Sequence, residues 1–277
     1  MRKDGRPRGQ QAGHRPRYVR AGDSGLYVYF DRVIDPGVNR RVRELAGRLR
    51  RAAPPGVQDI VPSYGAVFVR YDPLVTSFEE VAARCRALDA GPDDSEPPPP
   101  RVYLLPTVYG GEYGPDLEEV ARYHGLAPED VVRIHSSAAY YIYFLGFTPG
   151  FPFLGGLSPR LATPRREVPR TRVPAGSVGI GGSQTGVYPV SSPGGWHLIG
   201  RTPVPLFRAD RQPPAVLEPG HYVRFVPVTE EEFRRIRAAV AAGEYEIETV
   251  PPEANGRTTG KGRRDGGGAD SGRAGGN

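Results

Sequence analysis

The stretch YFLGFTPGFPFLGG, residues 143–156, contains five aromatic residues, four glycines and two prolines in fourteen positions. Its aromatic and leucine side chains favour burial, whereas its glycines and prolines exclude a regular helix or a central strand. A segment that is apolar and irregular is either an unusual part of the core or the wall of a binding site. The rest of the chain bears on the choice between these two interpretations.

Strand and helix signals alternate in the N-terminal third of the chain. Two short strands are predicted within residues 18–30, around a Gly-Asp-Ser-Gly turn. A helix begins where Asp35 precedes Pro36, a pair of strands follows, and Ser77 is placed to cap a second helix. We therefore predict a small α/β domain over residues 18–90.

Composition sets the remaining boundaries. Four consecutive prolines make residues 91–100 a stiff, extended linker. Residues 1–17 and 251–277 are rich in Gly, Arg and other polar residues, so they cannot bury enough apolar surface to fold and are predicted to be disordered tails. Residues 101–250 remain as a second domain.

The second domain is predicted to be mainly β-structure. One strand opens it, and helices begin at Asp116 and Pro128. About ninety residues of short apolar alternations follow, separated by frequent Gly and Pro, before the next helical window. Many short strands with regular turn signals favour a closed or sandwiched β-architecture.

The formal net charge of +6 lies in the tails. Residues 1–17 have six basic and one acidic side chain, and residues 251–277 have five and three, which leaves 26 basic and 27 acidic side chains for residues 18–250. A folded part without a basic surplus is not a nucleic-acid platform.

Lysine is confined to the tails as well, at Lys3 and Lys261. The folded part therefore has neither the lysine of a P-loop nor a Schiff-base lysine. Phosphate chemistry at this chain has to rely on arginine, on backbone N–H groups or on residues of a partner.

A single cysteine, Cys85, excludes a disulfide framework and a thiolate zinc site within one chain. Its helical surroundings predict a core residue. The N-terminus lacks the apolar region of a signal peptide, and no run approaches the ~18 apolar residues of a membrane span. We therefore expect a cytoplasmic protein that does not bind a membrane.

A second glycine-rich segment covers residues 173–207. Gly179 and Gly181 suggest a dinucleotide-binding loop, but Gln184 stands where the third glycine belongs and no helix follows. The serines of this segment also lack the complete Gly-x-Ser-x-Gly pattern of a nucleophile elbow. Glycines at strand ends do allow backbone N–H groups to approach a ligand closely and to bind anions.

Three residues are candidates for catalysis. His135, just before the aromatic stretch, is the best candidate for general acid–base chemistry, and its alternative role is that of a hydrogen-bonding residue at a helix end. Glu112 is a carboxylate in a loop. Arg201, among glycine and apolar residues, needs a carboxylate or phosphate partner if it is buried.

Two further residues have a plain structural interpretation. Asp116 either caps a helix or presents a carboxylate beside the site. His197, in an alternating strand, is expected to face solvent. No pair of histidines has the spacing of metal ligands, so no metal site is expected within the chain.

Four segments together resemble one family. They are AGDSGLYVYF, GGEYGPDLEEVA, YFLGFTPGFPFLGGL and PAGSVGIGGSQTGVYPVSSPGGWHLIGRTP. They are similar to the B-type subunit of 5-oxoprolinase, in a family that includes the sporulation kinase inhibitor KipI and the first subunit of allophanate hydrolase. The resemblance covers about residues 18–230 and extends to half of the carboxyltransferase domain of urea carboxylase. It implies an α+β fold, with a small N-terminal α/β domain followed by a C-terminal cyclophilin-like β-barrel.

The resemblance also implies a function. It suggests one component of an ATP-dependent 5-oxoprolinase, which opens 5-oxo-L-proline to L-glutamate. The enzyme is then a heteromer with two partners, a C-type subunit that is similar to biotin-dependent carboxylases and a LamB-type (A) subunit. ATP is the cofactor, with Mg²⁺ bound through the nucleotide, and the chain alone is expected to be inactive.

Two alternative functions stay open at this point. One is a KipI-like inhibitor of a sensor histidine kinase. The other is a carboxyltransferase component of the allophanate hydrolase or urea carboxylase type. The family's signatures are shared among these functions, so the sequence does not separate them.

In this family the barrel pairs with a similar barrel of a partner, with the site between them. The aromatic stretch is then one wall of that site, and the glycine-rich segment contributes further contacts. The expected substrate- or partner-binding residues are Phe147, Gly150, Phe151, Phe153, Gly179, Gly181, Gln184 and Trp196. Two of these depart from many relatives, because Phe153 replaces a tyrosine and Gly181 an alanine, so a catalytic hydroxyl at position 153 is in doubt.

Overall fold

The computed structural model describes residues 15–91 and 99–252 of the chain. Most of the tails predicted at residues 1–17 and 251–277, and most of the linker predicted at residues 91–100, lie outside these ranges. Within them the chain forms two units, each built on its own main sheet. None of the helices in these ranges combines the length and the apolar character needed to cross a membrane.

The N-terminal unit is an antiparallel sheet with two helices packed on it. Its elements are β1 (Arg17–Arg20), β2 (Gly25–Tyr29), α1 (Pro36–Ala52), β3 (Val57–Pro62), β4 (Ala66–Tyr71) and α2 (Phe78–Ala90). The strands lie in the order β1-β2-β4-β3. The helices contact each other and the sheet and enclose a separate apolar core. The first strand begins one residue before the predicted boundary.

The helices of this unit begin where the sequence predicts. The Asp35 carboxylate accepts hydrogen bonds from two backbone N–H groups of the first turn of α1. Ser77 and Glu80 form a reciprocal capping box at the start of α2. Cys85 is fully buried on α2, where burial raises its thiol pKa to about 12, so its prediction as a core residue is confirmed.

The C-terminal unit is a nearly closed barrel, which confirms the predicted α+β fold class. Its strands are β5 (Val102–Tyr109), β6 (Tyr140–Leu145), β7 (Pro152–Gly155), β8 (Arg170–Val173), β9 (Ser177–Gly181), β10 (Gln184–Val187), β11 (Ser192–Gly194), β12 (His197–Arg201), β13 (Tyr222–Pro227) and β14 (Thr249–Val250). Its helices are α3 (Leu117–His124), α4 (Pro128–Ser137) and α5 (Glu230–Ala242), with a short 3-10 helix at Pro159–Leu161.

The main sheet of the barrel runs β10-β9-β12-β5-β13-β6-β7, with β14 paired to β5. The two end strands, β7 and β10, lie next to each other, which brings the sheet almost to closure. β8 and β11 form a separate two-stranded ribbon beside it. The β5–β13 pair is parallel, and the other strand pairs of the main sheet are antiparallel.

Strand β6 shows how the two units meet. Tyr140, Tyr141, Ile142 and Tyr143 are all buried, because one face of the strand lies in the barrel core and the other is covered by the N-terminal unit. Arg43 of α1 donates a hydrogen bond to the Tyr141 hydroxyl at 3.2 Å. The beginning of the aromatic stretch is therefore core between the two units.

The loop between β3 and β4 adds a second contact through Tyr64. Its ring packs against three rings of the barrel, those of Tyr143, Phe144 and Phe153, with centroids 5.0–6.0 Å away. Aromatic pairs at these separations each stabilise an interface by roughly 0.5–1.5 kcal/mol beyond area burial. This loop therefore fixes the N-terminal unit against the strands that carry the aromatic stretch.

Candidate functional site

The barrel carries a cleft of about 360 Å³ that we call the aromatic cleft. Five of its lining residues are among those expected from the sequence: Phe147, Phe151, Phe153, Gln184 and Trp196. The remaining lining residues are Arg165, Arg166, Pro169, Tyr188, Gly194 and Gly195. The structure thus brings parts of the aromatic stretch and of the glycine-rich segment to one place, whereas the expected residues Gly150, Gly179 and Gly181 do not line the cleft.

A turn inside the aromatic stretch forms one end of the cleft. The Phe151 N–H donates to the Thr148 carbonyl at 3.0 Å, and Gly150 has φ of +79°. These features match a type II turn with Pro149 in its second position. A Cβ atom on Gly150 would lie 2.8 Å from Cβ of Phe207, so the turn also packs too closely for any side chain there.

Phe147 lies at the rim of the cleft in a strained conformation. Its φ is +66°, a left-handed value that costs a non-glycine residue roughly 1–3 kcal/mol. Its ring is 72% exposed and touches Phe151 edge to face, with centroids 5.6 Å apart. The fold therefore holds an apolar ring in solvent at the cleft entrance.

Trp196 forms the floor of the cleft with Phe151 and Tyr188. Its ring centroid is 5.8 Å from that of Phe151 and 6.2 Å from that of Tyr188. A Cβ atom on Gly181 would lie 2.3 Å from Cδ1 of Trp196, and one on Gly179 would lie 3.2 Å from Cβ of Trp196. These two glycines serve the site indirectly, by letting the indole pack onto strand β9.

Gln184 joins the cleft to the N-terminal unit. Its side-chain amide Nε2 donates a hydrogen bond to the Tyr64 hydroxyl. Burial raises the pKa of Tyr64, and the hydrogen bond from Gln184 partly opposes that shift. The amide is thereby held in one orientation at the cleft wall.

Asp116 binds two arginines at or near the aromatic cleft, Arg166 and Arg170. Its Oδ1 accepts hydrogen bonds from Arg170 at 2.7 Å and from Arg166 at 3.3 Å, and its Oδ2 accepts one from the Leu198 N–H at 2.6 Å. Asp116 occupies the N-cap position of α3, as the capping interpretation requires, but its side chain makes no capping hydrogen bond within the described residues. Two guanidinium groups and a strand N–H bind the carboxylate instead.

Arg165 differs from its neighbour Arg166. Within the described part of the chain, Arg165 is exposed and makes no ion pair or side-chain hydrogen bond, whereas Arg166 also pairs with Glu119 at 3.4 Å. Burial raises the pKa of Tyr188, while a hydrogen bond with the Trp196 backbone and the charge of Arg165 act in the opposite direction. The positive charge of Arg165, which no carboxylate among the described residues neutralises, therefore lies close enough to Tyr188 to affect its hydroxyl.

His135 lies in the barrel core and does not line the aromatic cleft. Its Nε2 is 2.8 Å from the Thr185 hydroxyl, and its Nδ1 is 2.8 Å from the Tyr109 hydroxyl. Since Thr185 donates to the Gly179 carbonyl, its oxygen accepts from Nε2–H, which leaves Nδ1 to accept from Tyr109. Burial lowers the pKa of His135 to about 3.

This environment fixes His135 as a neutral imidazole with both nitrogens occupied. The geometry favours the alternative interpretation, a hydrogen-bonding residue, over general acid–base chemistry. Glu112 is exposed in the turn before α3, and the Arg201 guanidinium lies over the Tyr113 ring at 5.5 Å. The structure does not bring these candidates together at the cleft, and their catalytic role stays a prediction.

His197 is buried, so the expectation that it faces solvent is wrong. It is 6% exposed, and its Nε2 donates to the Pro164 carbonyl at 2.9 Å. It lines a second cleft of about 510 Å³, together with Glu119 and the loop of residues 163–168. This loop therefore separates the second cleft from the aromatic cleft.

The sequence did not point to six lining residues of the aromatic cleft, which are Arg165, Arg166, Pro169, Tyr188, Gly194 and Gly195. It also did not point to Tyr64, which reaches the cleft through Gln184. Arg165 lies in the segment PRREVP, where adjacent arginines between two prolines indicate an exposed loop that holds its charges rigidly. Tyr64 comes from the other unit, 120 residues from Gln184, and no local pattern points to that contact.

Metal binding has no support in the described residues, since no three His, Cys, Asp or Glu side chains come together there. Arginine and backbone N–H groups are the groups available at the cleft for an anion. The donor set therefore suits a carboxylate or phosphate rather than a cation.

Comparison with known proteins adds a family and named relatives. Residues 16–217 match the family described as carboxyltransferase domain, subdomain C and D. The B-type subunit of 5-oxoprolinase from Bacillus subtilis (strain 168) is 42% identical over 222 residues, which cover 76% of this chain and 92% of that protein. The protein of the same name from Escherichia coli O157:H7 is 42% identical over 78% of this chain and 98% of its own length.

Solved structures agree with the fold. The crystal structure of TTHA0988 has a TM-score of 0.66 and 41% identity, and the match covers 74% of this chain. This chain spans only 40% of that protein. The urea carboxylase of Kluyveromyces lactis matches 85% of this chain and 24% of its own with a TM-score of 0.68, and its 23% identity supports the fold alone.

Proposed function

The chain belongs to the carboxyltransferase subdomain C and D family, and from that membership we propose that it is the B-type subunit of an ATP-dependent 5-oxoprolinase. The enzyme opens 5-oxo-L-proline to L-glutamate. Identity of 42% to two proteins that carry this name, over at least 92% of their length, supports the role. The relatives named urea amidolyase are 29% identical or less.

The observation that carries the proposal is the assembly of the aromatic cleft. Phe147 and Phe151 from the aromatic stretch and Trp196 from the glycine-rich segment line this cleft with apolar rings. Arg165 and Gln184 provide a positive charge and an amide at the same cleft. A mostly apolar concave site with a few oriented polar groups is the usual form of a small-molecule site.

The reaction explains why ATP is needed. An amide carbonyl is a poor electrophile, and transfer of the γ-phosphoryl group of ATP to its oxygen, with release of ADP, makes the carbon electrophilic. Water then adds to this carbon, the ring C–N bond breaks as the nitrogen takes up a proton to become the amine, and a second water hydrolyses the resulting acyl phosphate to the carboxylate and inorganic phosphate. Residues 18–250 lack lysine, so this chain offers only arginine and backbone N–H groups for nucleotide phosphates. We propose that a partner protein supplies the rest of the site for ATP and its Mg²⁺, and that this chain is inactive alone.

Phe147 supports a protein partner at the cleft entrance. Its ring is 72% exposed and is held there at a cost in backbone strain. Aromatic residues are enriched in the centres of protein interfaces. We propose that the partners are the carboxylase-like C-type subunit, whose relatives depend on biotin, and the LamB-type subunit.

The test is reconstitution of the complex. The chain is purified alone and together with both partners, and ATP- and 5-oxoproline-dependent release of glutamate is measured. We expect turnover from the complex and none from the single chain. Robust turnover by the single chain contradicts the shared site, and a stable complex without turnover contradicts the enzyme function.

A further inference from the structure

The ligand of the aromatic cleft can be inferred from three of its side chains. Arg165 is the first, because it lines the cleft and, within the described residues, is committed to no carboxylate. Its neighbour Arg166 lines the same cleft but is paired with Asp116 and Glu119. The free guanidinium group therefore suits an anionic ligand, for which Arg provides two parallel N–H donors.

Trp196 is the second, because its indole, although mostly buried, lines the cleft with part of its apolar surface. With Phe151 and Tyr188 it forms a floor of three rings that pack edge to face. The volume of about 360 Å³ lies near the lower end of the ~300–1,000 Å³ typical of ligand pockets. A cleft of this volume suits a small ring better than a long chain.

Gln184 is the third, because its amide oxygen has no hydrogen-bond partner among the described residues. One Nε2–H donates to the Tyr64 hydroxyl, and the oxygen remains available to accept a hydrogen bond from a ligand. That oxygen can only accept, so its partner is an N–H or O–H group. The N–H of a cyclic amide has this property.

We propose that the aromatic cleft binds a small cyclic carboxylate, with its carboxylate on Arg165, its ring on Trp196 and its ring N–H donating to Gln184. The assignment rests on the proposed function only for the identity of the acid, 5-oxoproline. A nucleotide fits less well. Its phosphates need several cationic donors, and residues 18–250 have no lysine to add to Arg165.

The first test measures kinetics of the reconstituted complex. Replacing Arg165 by Gln removes a charge-assisted hydrogen bond, so KM for 5-oxoproline should rise at least about tenfold while kcat stays within about twofold. The matched control is Arg172→Gln on strand β8, because Arg172 bonds Ser191 and does not line the cleft. An unchanged KM in Arg165→Gln overturns the inference and leaves the proposed function intact.

The second test does not depend on activity. Trp196 is the only tryptophan of the chain, so its fluorescence reports occupancy of the cleft. We expect saturable titration of the full-length chain by 5-oxoproline, at least about tenfold weaker for Arg165→Gln and for the neutral carboxamide of 5-oxoproline.

The outcomes separate the two proposals. In one outcome the complex releases no glutamate, but small cyclic carboxylates still change the Trp196 fluorescence and the change requires Arg165. The proposed 5-oxoprolinase function is then contradicted, and the inference that the cleft binds small cyclic carboxylates is supported. If neither 5-oxoproline nor other small cyclic carboxylates change the signal, the inference is overturned. The inference is also overturned if the Trp196 fluorescence change requires Arg165 but occurs only with ATP and not with any small cyclic carboxylate.

Discussion

Gly150 is the residue whose backbone conformation was most directly predictable. Pro149 and Gly150 within TPGF indicate a type II turn, and the observed φ of +79° at Gly150 confirms the left-handed position. What the sequence did not show is the close approach of Phe207 to this glycine. The turn is therefore fixed both by its own torsion and by packing.

Gly150→Val should destabilise the protein more than a glycine substitution that adds strain alone. The strain at positive φ costs roughly 1–3 kcal/mol, and the collision with Phe207 adds roughly 1–3 kcal/mol. The control is Gly22→Val, because Gly22 has φ of +63° and nothing within 4 Å of the place that a Cβ atom would take. Urea denaturation gives both values, and equal losses would show that packing at Gly150 contributes nothing.

His135 is a residue whose type suggested general acid–base catalysis, whereas its surroundings favour a structural, hydrogen-bonding role. Its two nitrogens bond to Thr185 and Tyr109, and burial lowers its pKa from 6.5 to about 3. The folded protein thus keeps this imidazole neutral at pH values where the unfolded chain protonates it. The stability that results is complete above pH 6.5 and is lost as the pH falls towards 3.

His135→Gln should flatten the acid side of the stability profile. For wild type, the change in histidine protonation removes about 2 kcal/mol of unfolding free energy between pH 7 and pH 5, because the unfolded state binds a proton there and the folded state does not. Chemical denaturation at a series of pH values measures this slope. Thr185→Val should lower stability while retaining the slope, and a His135→Gln slope equal to that of wild type contradicts the buried-neutral assignment.

At the scale of elements, the start of α3 is held to the barrel through one carboxylate. Asp116 links α3 to strand β12 through the Leu198 N–H and to strand β8 through Arg170. Asp116 also binds Arg166 in the loop that borders the aromatic cleft. This arrangement commits Arg166 to carboxylates of the protein, whereas the neighbouring Arg165 at the same cleft has no such partner among the described residues.

Asp116→Asn should destabilise the protein by about 3–5 kcal/mol, because it removes the carboxylate that pairs with Arg170 and one of the two that pair with Arg166 among the described residues. Thermal and urea unfolding measure the loss. Glu118→Gln is the control, since Glu118 is exposed in the first turn of the same helix and its removal should change stability by less than about 0.5 kcal/mol. Similar losses in both variants would show that Asp116 acts only through helix electrostatics.

At the scale of the whole molecule, the two units share an aromatic interface. Tyr64 packs against Tyr143, Phe144 and Phe153 and also accepts the hydrogen bond from Gln184. The N-terminal unit therefore supports a cleft whose lining residues all belong to the barrel. Removing the Tyr64 side chain should therefore lower the cooperativity of unfolding and also remove the hydrogen bond that orients Gln184 at the cleft.

Tyr64→Ala should weaken the coupling between the units by about 2–4 kcal/mol, given three aromatic pairs of roughly 0.5–1.5 kcal/mol each. Calorimetry should then show two separated transitions where wild type shows one. Tyr29→Ala is the matched control, since Tyr29 is 38% exposed on β2 and stacks on Tyr27 within its own unit. A single transition in Tyr64→Ala would show that other contacts, such as Arg43 with Tyr141, suffice.

The sequence by itself determined the helices and strands of the N-terminal unit and the β-rich character of the C-terminal unit. Helices α1 and α2 begin at the capping residues Asp35 and Ser77, and the Pro149–Gly150 pair forms the expected turn. These features are local, because capping and turn chemistry depend on residues within one turn of each other. The resemblance of longer segments added the barrel and the glycine-rich half of the cleft.

Only the tertiary structure decided what each polar side chain does. His135 became a core residue, Asp116 a binder of two arginines, and Arg165 the free charge at the cleft. The hydrogen-bond partners of the His135 and Asp116 side chains lie 26 or more residues away in the chain, and the nearest of them is Tyr109, a partner of His135. Burial and hydrogen-bond partners are set by the packing of distant strands, and this is why residue type and spacing alone could not assign them.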